Sequence, residues 1–193
     1  MILASASPRR RELIAGCGID ARILPADIDK ARLPEESPTE LVRRLAREKA
    51  HAVSVALTSP LEEPLLAADT IVWDDSGDVL GKPEDEEDAC CMLRALSERT
   101  HYVSTGVCLL VPRDGTVLEH SFVETTEVTF WDLSEEEIAR YAATGEPLDK
   151  AGAYGIQGLG HMFVKSINGN YDNVVGLPVG RVMRVLGGRD EEL

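Results

Sequence analysis

Ile2-Leu3-Ala4-Ser5-Ala6-Ser7-Pro8-Arg9-Arg10-Arg11 passes from a short apolar run straight into a helix start. Ile2 to Ala4 is predicted as a strand. Ser7 offers a side-chain oxygen to the helix's first unpaired N–H groups, and Pro8 has the fixed φ and missing N–H that suit the first helical position. The helix is expected to stop near Gly16 or Gly18, and Ile19 to Leu24 reads as extended, so the chain opens β-α-β. Pro25 to Pro38 reads as an irregular, acid-containing connection at the edge of a cleft.

Outward from that opening, Ser37-Pro38-Thr39-Glu40 has the spacing of a capping box. An apolar stripe follows at Leu41, Leu45 and Val53, which predicts a helix to about Leu57. Leu65 to Trp73 reads as a buried strand, Asp74 to Asp78 as a turn, Val79-Leu80 as its hairpin partner, and Glu84 to Ser97 as an acid-started helix. Val103 to Val111 and Val117 to Phe130 flank Pro112-Arg113-Asp114-Gly115 and predict a long antiparallel hairpin. Ser134-x-x-Glu137 caps a further helix. Thr144 to Gly160 reads as too polar for a core element, with a strand near Met162 to Ile167 and a last helix after Pro178 beyond it. Alternating strands and helices followed by antiparallel pairing predict an α/β protein with a mixed sheet. No repeat or linker divides the chain, so one domain over 1–193, made of two intimate lobes with a central cleft, is expected.

Composition narrows the partners. A net charge of −14 argues against general nucleic-acid binding, which needs a basic face to neutralise phosphates. A small phosphate ligand is still allowed, because a local cation cluster governs it. A hydrophobic fraction of 44% with 28% charged residues fits a soluble globular enzyme. No signal peptide or membrane span is visible, and a cytoplasmic protein is expected. Cys17, Cys90, Cys91 and Cys108 lack zinc-site spacing and read as reduced structural thiols.

Four constellations carry chemistry. At Ser5 to Arg11 a strand-to-helix turn aims free N–H groups outward beside three arginines, a site suited to polyphosphate. Asp69 stands in Leu65-Leu66-Ala67-Ala68-Asp69-Thr70-Ile71-Val72, where a carboxylate must meet a cation, a metal or hydrogen-bond donors. Lys49 falls on the stripe Leu41, Leu45, Lys49, Val53, so its stem runs along the core side of its helix. Lys82 sits between Gly81 and Pro83, fixed by turn chemistry. Gly145 to Gly158 combines glycines with Asp149, Lys150, Tyr154 and Gln157, a backbone able to approach a ligand with an amide to read a base edge.

Together with Arg47-Glu48-Lys49-Ala50, Ala68-Asp69-Thr70-Ile71-Val72, Gly81-Lys82-Pro83 and Asn173-Val174-Val175-Gly176-Leu177-Pro178, these stretches resemble the Maf family of nucleotide pyrophosphatases over nearly the whole chain. The resemblance implies a two-lobed fold around a twisted mixed sheet with flanking helices, similar in shape to inosine triphosphate pyrophosphatases, and a homodimer. It implies cleavage of a nucleoside triphosphate between its α and β phosphates. Asp69 matches the proton acceptor, and Ser7, Arg9, Arg10, Lys49 and Lys82 match the phosphate-binding set. Arg9, Thr70 and Gln157 match positions linked to base choice. Thr70 after Asp69 looks like the branch acting on dTTP and UTP, whereas the branch favouring 7-methyl-GTP has Gln there.

Attack of water on the α phosphate asks for a base, cations for the phosphate tail, and a divalent metal such as Mg²⁺, Mn²⁺ or Co²⁺. Asp69 could orient the water, deprotonate it, or bind the metal, and sequence leaves all three open. The chain departs from the family at Lys30, where a metal-binding glutamate is usual. Asp27 or, preferably, Asp29 is expected to substitute. Lys30 also favours the rival reading of a nucleotide-binding regulator of septum formation with little turnover.

Overall fold

A computed structural model of the chain describes residues 1–189; the last four positions of the expected 1–193 domain lie outside the described residues. The elements run β1 (Ile2–Leu3), α1 (Pro8–Gly16), β2 (Arg22–Ile23), α2 (Pro38–Ala56), β3 (Leu65–Trp73), β4 (Val79–Leu80), α3 (Glu86–Leu96), β5 (Thr100–Arg113), β6 (Thr116–Phe130), α4 (Glu135–Ala142), β7 (Val164–Asn168), α5 (Tyr171–Val175) and α6 (Val179–Leu186). The sheet is mixed and has the order β2-β1-β3-β5-β6-β7, with β4 pairing β3. β1 lies parallel to both β2 and β3, while β3 with β4 and β6 with β7 are antiparallel. This is the α/β class expected.

Local chemistry explains the element boundaries. Ser7 caps α1 with Pro8 in its first turn, and Ser37 with Glu40 and Ser134 with Glu137 close reciprocal capping boxes on α2 and α4. β5 and β6 are joined through Asp114 and Gly115, whose φ values of 51° and 78° give the turn that matches strand twist in a tight hairpin.

The chain forms two compact units. The first comprises Met1–Thr70, Thr105–Glu124 and the chain from Gly176. Alternation along its strands divides the core by sheet face. Leu3, Leu66, Ala68, Val107 and Leu109 pack with Ile14 of α1 and Val182 and Val185 of α6. Ile2, Ala4, Leu65, Ala67, Cys108 and Leu110 pack with Ala46, Ala50 and Val53 of α2. α2 sits so close to β5 that a Cβ on Gly106 would lie 2.1 Å from the Val42 carbonyl oxygen.

The second unit comprises Ile71–Ser104 and Thr125–Val175. Its core is aromatic: Phe130 meets His101 and Tyr154 edge-on, and Tyr141 meets Phe163 in the same way. Here the structure corrects the sequence reading. Thr144 to Gly160 is not merely a polar loop, because it coils into 3₁₀ turns at Glu146–Asp149 and Ala151–Ala153 and buries Ala153, Tyr154 and Ile156. A third 3₁₀ turn, Leu159–Phe163, takes the start of the expected strand, so β7 begins only at Val164.

Candidate active site

In the first unit, β1 ends beside Leu66 of β3, with Ala4 N donating to Leu66 O at 2.8 Å. Everything that follows these parallel strands therefore emerges at one end: Ser5 to Arg10 after β1, the segment leading to Asp27, Asp29 and Lys30 after β2, and Asp69-Thr70 further along β3. Carboxyl ends of parallel strands are where open α/β sheets collect helix N-termini and polar side chains.

Asp69 is buried at 8% exposure amid apolar strand residues, and its carboxylate forms an ion pair with Lys49 Nζ. The lysine reaches it because position 49 lies on the buried stripe of α2, with Leu41, Leu45 and Val53. Nζ also donates to Ala68 O at 3.3 Å. Burial draws the Lys49 ammonium below its ordinary value, Asp69 opposes that, and the charges of Arg10 and Lys30 add to the lowering.

Arg10 folds inward instead of lying on the surface of α1. Nε donates to Gly176 O at 2.8 Å, Nη1 to Ser5 Oγ at 3.2 Å and Nη2 to Thr70 Oγ1 at 2.9 Å. The fork therefore ties the β1–α1 turn, β3 and the residue before Leu177 into one corner. Burial lowers its pKa, countered by Asp69 and reinforced by Arg9; a guanidinium remains charged regardless. Thr70 Oγ1 lies 2.8 Å from Thr105 Oγ1 and donates within 3.3 Å of Gly176 O. Gly176 has a φ of 131°, a backbone state that glycine supplies without strain. Ser7 Oγ accepts from Arg10 N at 3.4 Å, and Arg9 is half-buried on the same turn.

The structure thus brings Ser7, Arg9, Arg10, Lys49, Asp69 and Thr70 into one region of the first unit. Asp27 and Asp29 are exposed, and Asp29 Oδ1 accepts from Ala31 N at 2.9 Å, an acid spent partly on its own turn. Among the described residues no group of three or more His, Cys, Asp or Glu side chains gathers as a metal cluster. Lys82 and Gln157 belong to the second unit, and both are exposed. Lys82 is flanked by Gly81, whose carbonyl accepts from Gly152 N at 3.0 Å, and by buried Pro83. Thr105 and Gly176 also bond into this corner, to Thr70 and to Arg10 and Thr70 respectively. Thr105 carries no local signal, whereas Gly176 stands in the quoted Asn173 to Pro178 motif.

A buried carboxylate–ammonium pair beside an arginine-bearing strand-to-helix turn thus marks one corner of this α/β protein. The profile of the family described as Maf-like protein matches residues 1–189, and this chain belongs to that family. Relatives named dTTP/UTP pyrophosphatase include one from Anaeromyxobacter dehalogenans (strain 2CP-C), 50% identical over 186 residues that cover 96% of this chain and 92% of the relative. Another from Koribacter versatilis (strain Ellin345) is 48% identical with the same coverage. A third, from Geobacillus sp. (strain WCH70), is 48% identical over 185 residues and 95% of each chain.

Proposed function

We propose that this protein hydrolyses dTTP and UTP to the monophosphate and pyrophosphate. The observation that carries the reading is the Lys49–Asp69 pair, held where the parallel strands end and the arginine-bearing turn begins. Water adds to the α phosphorus, the bond from that phosphorus to the α–β bridging oxygen breaks, and pyrophosphate leaves with its electron pair. The water proton passes to Asp69 Oδ and then to solvent. Lys49 orients the carboxylate, while Ser7, Arg9, Arg10 and the N–H groups of the first turn of α1 bind phosphate oxygens. Lys82 and Gln157 are proposed as further substrate-binding residues on the strength of their motifs, and Thr70 with Arg9 and Gln157 as determinants of base choice.

Carboxylate oxygens are the ligands a hard divalent cation, Mg²⁺, Mn²⁺ or Co²⁺, prefers, and Asp69, with Asp29 as a second ligand, would hold it. Such ions commonly use one or two carboxylates together with substrate phosphates. When bound it would neutralise charge on the departing pyrophosphate.

No helix among the described residues is long and apolar enough to cross a membrane, and we place the protein in the cytoplasm as a homodimer that binds no nucleic acid. The test of the reaction is hydrolysis of UTP in ¹⁸O-water: label in UMP supports attack at the α phosphorus, and label in inorganic phosphate or pyrophosphate overturns it. The regulator reading, favoured by Lys30, instead expects UTP binding with no pyrophosphate release.

A further inference from the structure

In the second unit, Glu146 accepts hydrogen bonds from Tyr141 Oη at 2.9 Å, Leu159 N at 3.0 Å and Gly160 N at 3.4 Å. Tyr141 Oη in turn accepts from Gly155 N at 3.1 Å. The carboxylate and phenol thus grip both ends of the turn 155–160, and the exposed side chain of Gln157 stands between those ends. At two glycines the turn lies close against these groups. A Cβ on Gly158 would lie 2.2 Å from Glu146 Oε1, and one on Gly160 would lie 2.9 Å from Tyr141 Oη.

We propose that Glu146, acting with Tyr141, is a positioning residue for nucleobase selection that fixes the turn carrying Gln157. This rests on the reading of Gln157 as a base-choice residue. An amide side chain reads a base edge only if its donor and acceptor are held in register, since a loose amide satisfies several edges equally. A carboxylate suits this task because it is acceptor-only, and every group it meets is a donor. Glu146→Gln would set an NH₂ against one of the N–H or O–H donors, and Tyr141→Phe would remove the bridge between Gly155 and Glu146.

The experiment is direct competition between UTP and each of GTP and CTP for the full-length parent, Glu146→Gln, Tyr141→Phe, Gln157→Ala and the Glu146→Gln/Gln157→Ala double variant. The ratio of kcat/KM values from competition is independent of how much enzyme is folded, so partial misfolding does not obscure it. The expected result is a fall in UTP selectivity of about tenfold in each single variant, with no further fall in the double variant, because both changes break one chain of cause. Unchanged selectivity in both Glu146→Gln and Tyr141→Phe, with Gln157→Ala altered, overturns the positioning role while leaving Gln157 as a base reader. Additive losses in the double variant also overturn it. Unchanged selectivity in Gln157→Ala overturns the base-reading assignment itself.

Discussion

Around Asp69, buried polar side chains find partners far along the chain: Lys49 is 20 residues from Asp69, and Arg10 is 60 residues from Thr70 and 166 from Gly176. Around Glu146 the partners lie 5 to 14 residues away, and two of the three are backbone N–H groups. The first region holds charge in place by long-range side-chain bonds, and the second holds backbone shape by short-range ones. Substitutions in the first should therefore damage chemistry and folding together, because a removed partner strands a buried charge. In the second they should loosen geometry.

The hardest break is Asp69→Asn. It keeps the shape and removes the charge facing Lys49, so pyrophosphate release should fall by about 10²–10⁴-fold, and the thermal midpoint should fall too. Steady-state rates with a melting curve check both; more than a tenth of parental turnover would take Asp69 out of the reaction. Arg10→Lys comes next. A point charge cannot make the three directed bonds of the fork, so a stability loss of about 2 kcal/mol is expected by denaturant titration, and an unchanged midpoint would show the corner is held otherwise.

The second region has its own buried titratable group. His101 Nε2 lies 2.9 Å from Tyr154 Oη, its Nδ1 has no hydrogen-bond partner among the described residues, and burial pushes its pKa down to about 4. The unfolded chain binds this proton near the ordinary value of about 6.5. Stability from the neutral ring is therefore complete above pH 6.5 and lost as pH falls through 4, by at most about 3 kcal/mol. His101→Phe should flatten the fall in thermal midpoint over that window, and parallel parent and variant curves would contradict it. The smallest effect expected is from Arg94→Ala, which removes the exposed pair with Glu135 and should move the midpoint by no more than about 2 °C.

The same contrast governs what sequence reveals. Caps and stripes are local, so Ser37 with Glu40, Ser134 with Glu137 and the Leu41-Leu45-Lys49-Val53 face announced α2 and α4, and the apolar run bounded β3 at Leu65 and Trp73. Lys49 and Asp69 each carried a signal, one as a cation on a core stripe and one as an acid in a buried strand. Their pairing, and the inward fold of Arg10 onto Gly176, had none, because sheet pairing sets these contacts. Thr144 to Gly160 misled for another reason. Its polar composition hid turns that need Gly152 at a φ of 71°, where a Cβ would lie 2.9 Å from Val72 Cγ1.

Lys30 sharpens the charge-built corner. A lysine where the family resemblance expects an acid adds a like charge, so Lys30→Glu should lower the metal concentration needed for half-maximal rate if position 30 faces the ion. If Asp29 holds the ion instead, Asp29→Asn should be the damaging change. Metal titrations of both variants decide between them, and no change in either removes this segment from metal binding.

The most direct test is pyrophosphate release from the parent protein with Mg²⁺ or Mn²⁺ across dTTP, UTP, CTP, ATP, GTP and 7-methyl-GTP. Release from dTTP and UTP, with kcat/KM at least about tenfold above that for GTP and 7-methyl-GTP, is the expected result. A purine preference, or nucleotide binding without release from any of the six, would contradict it.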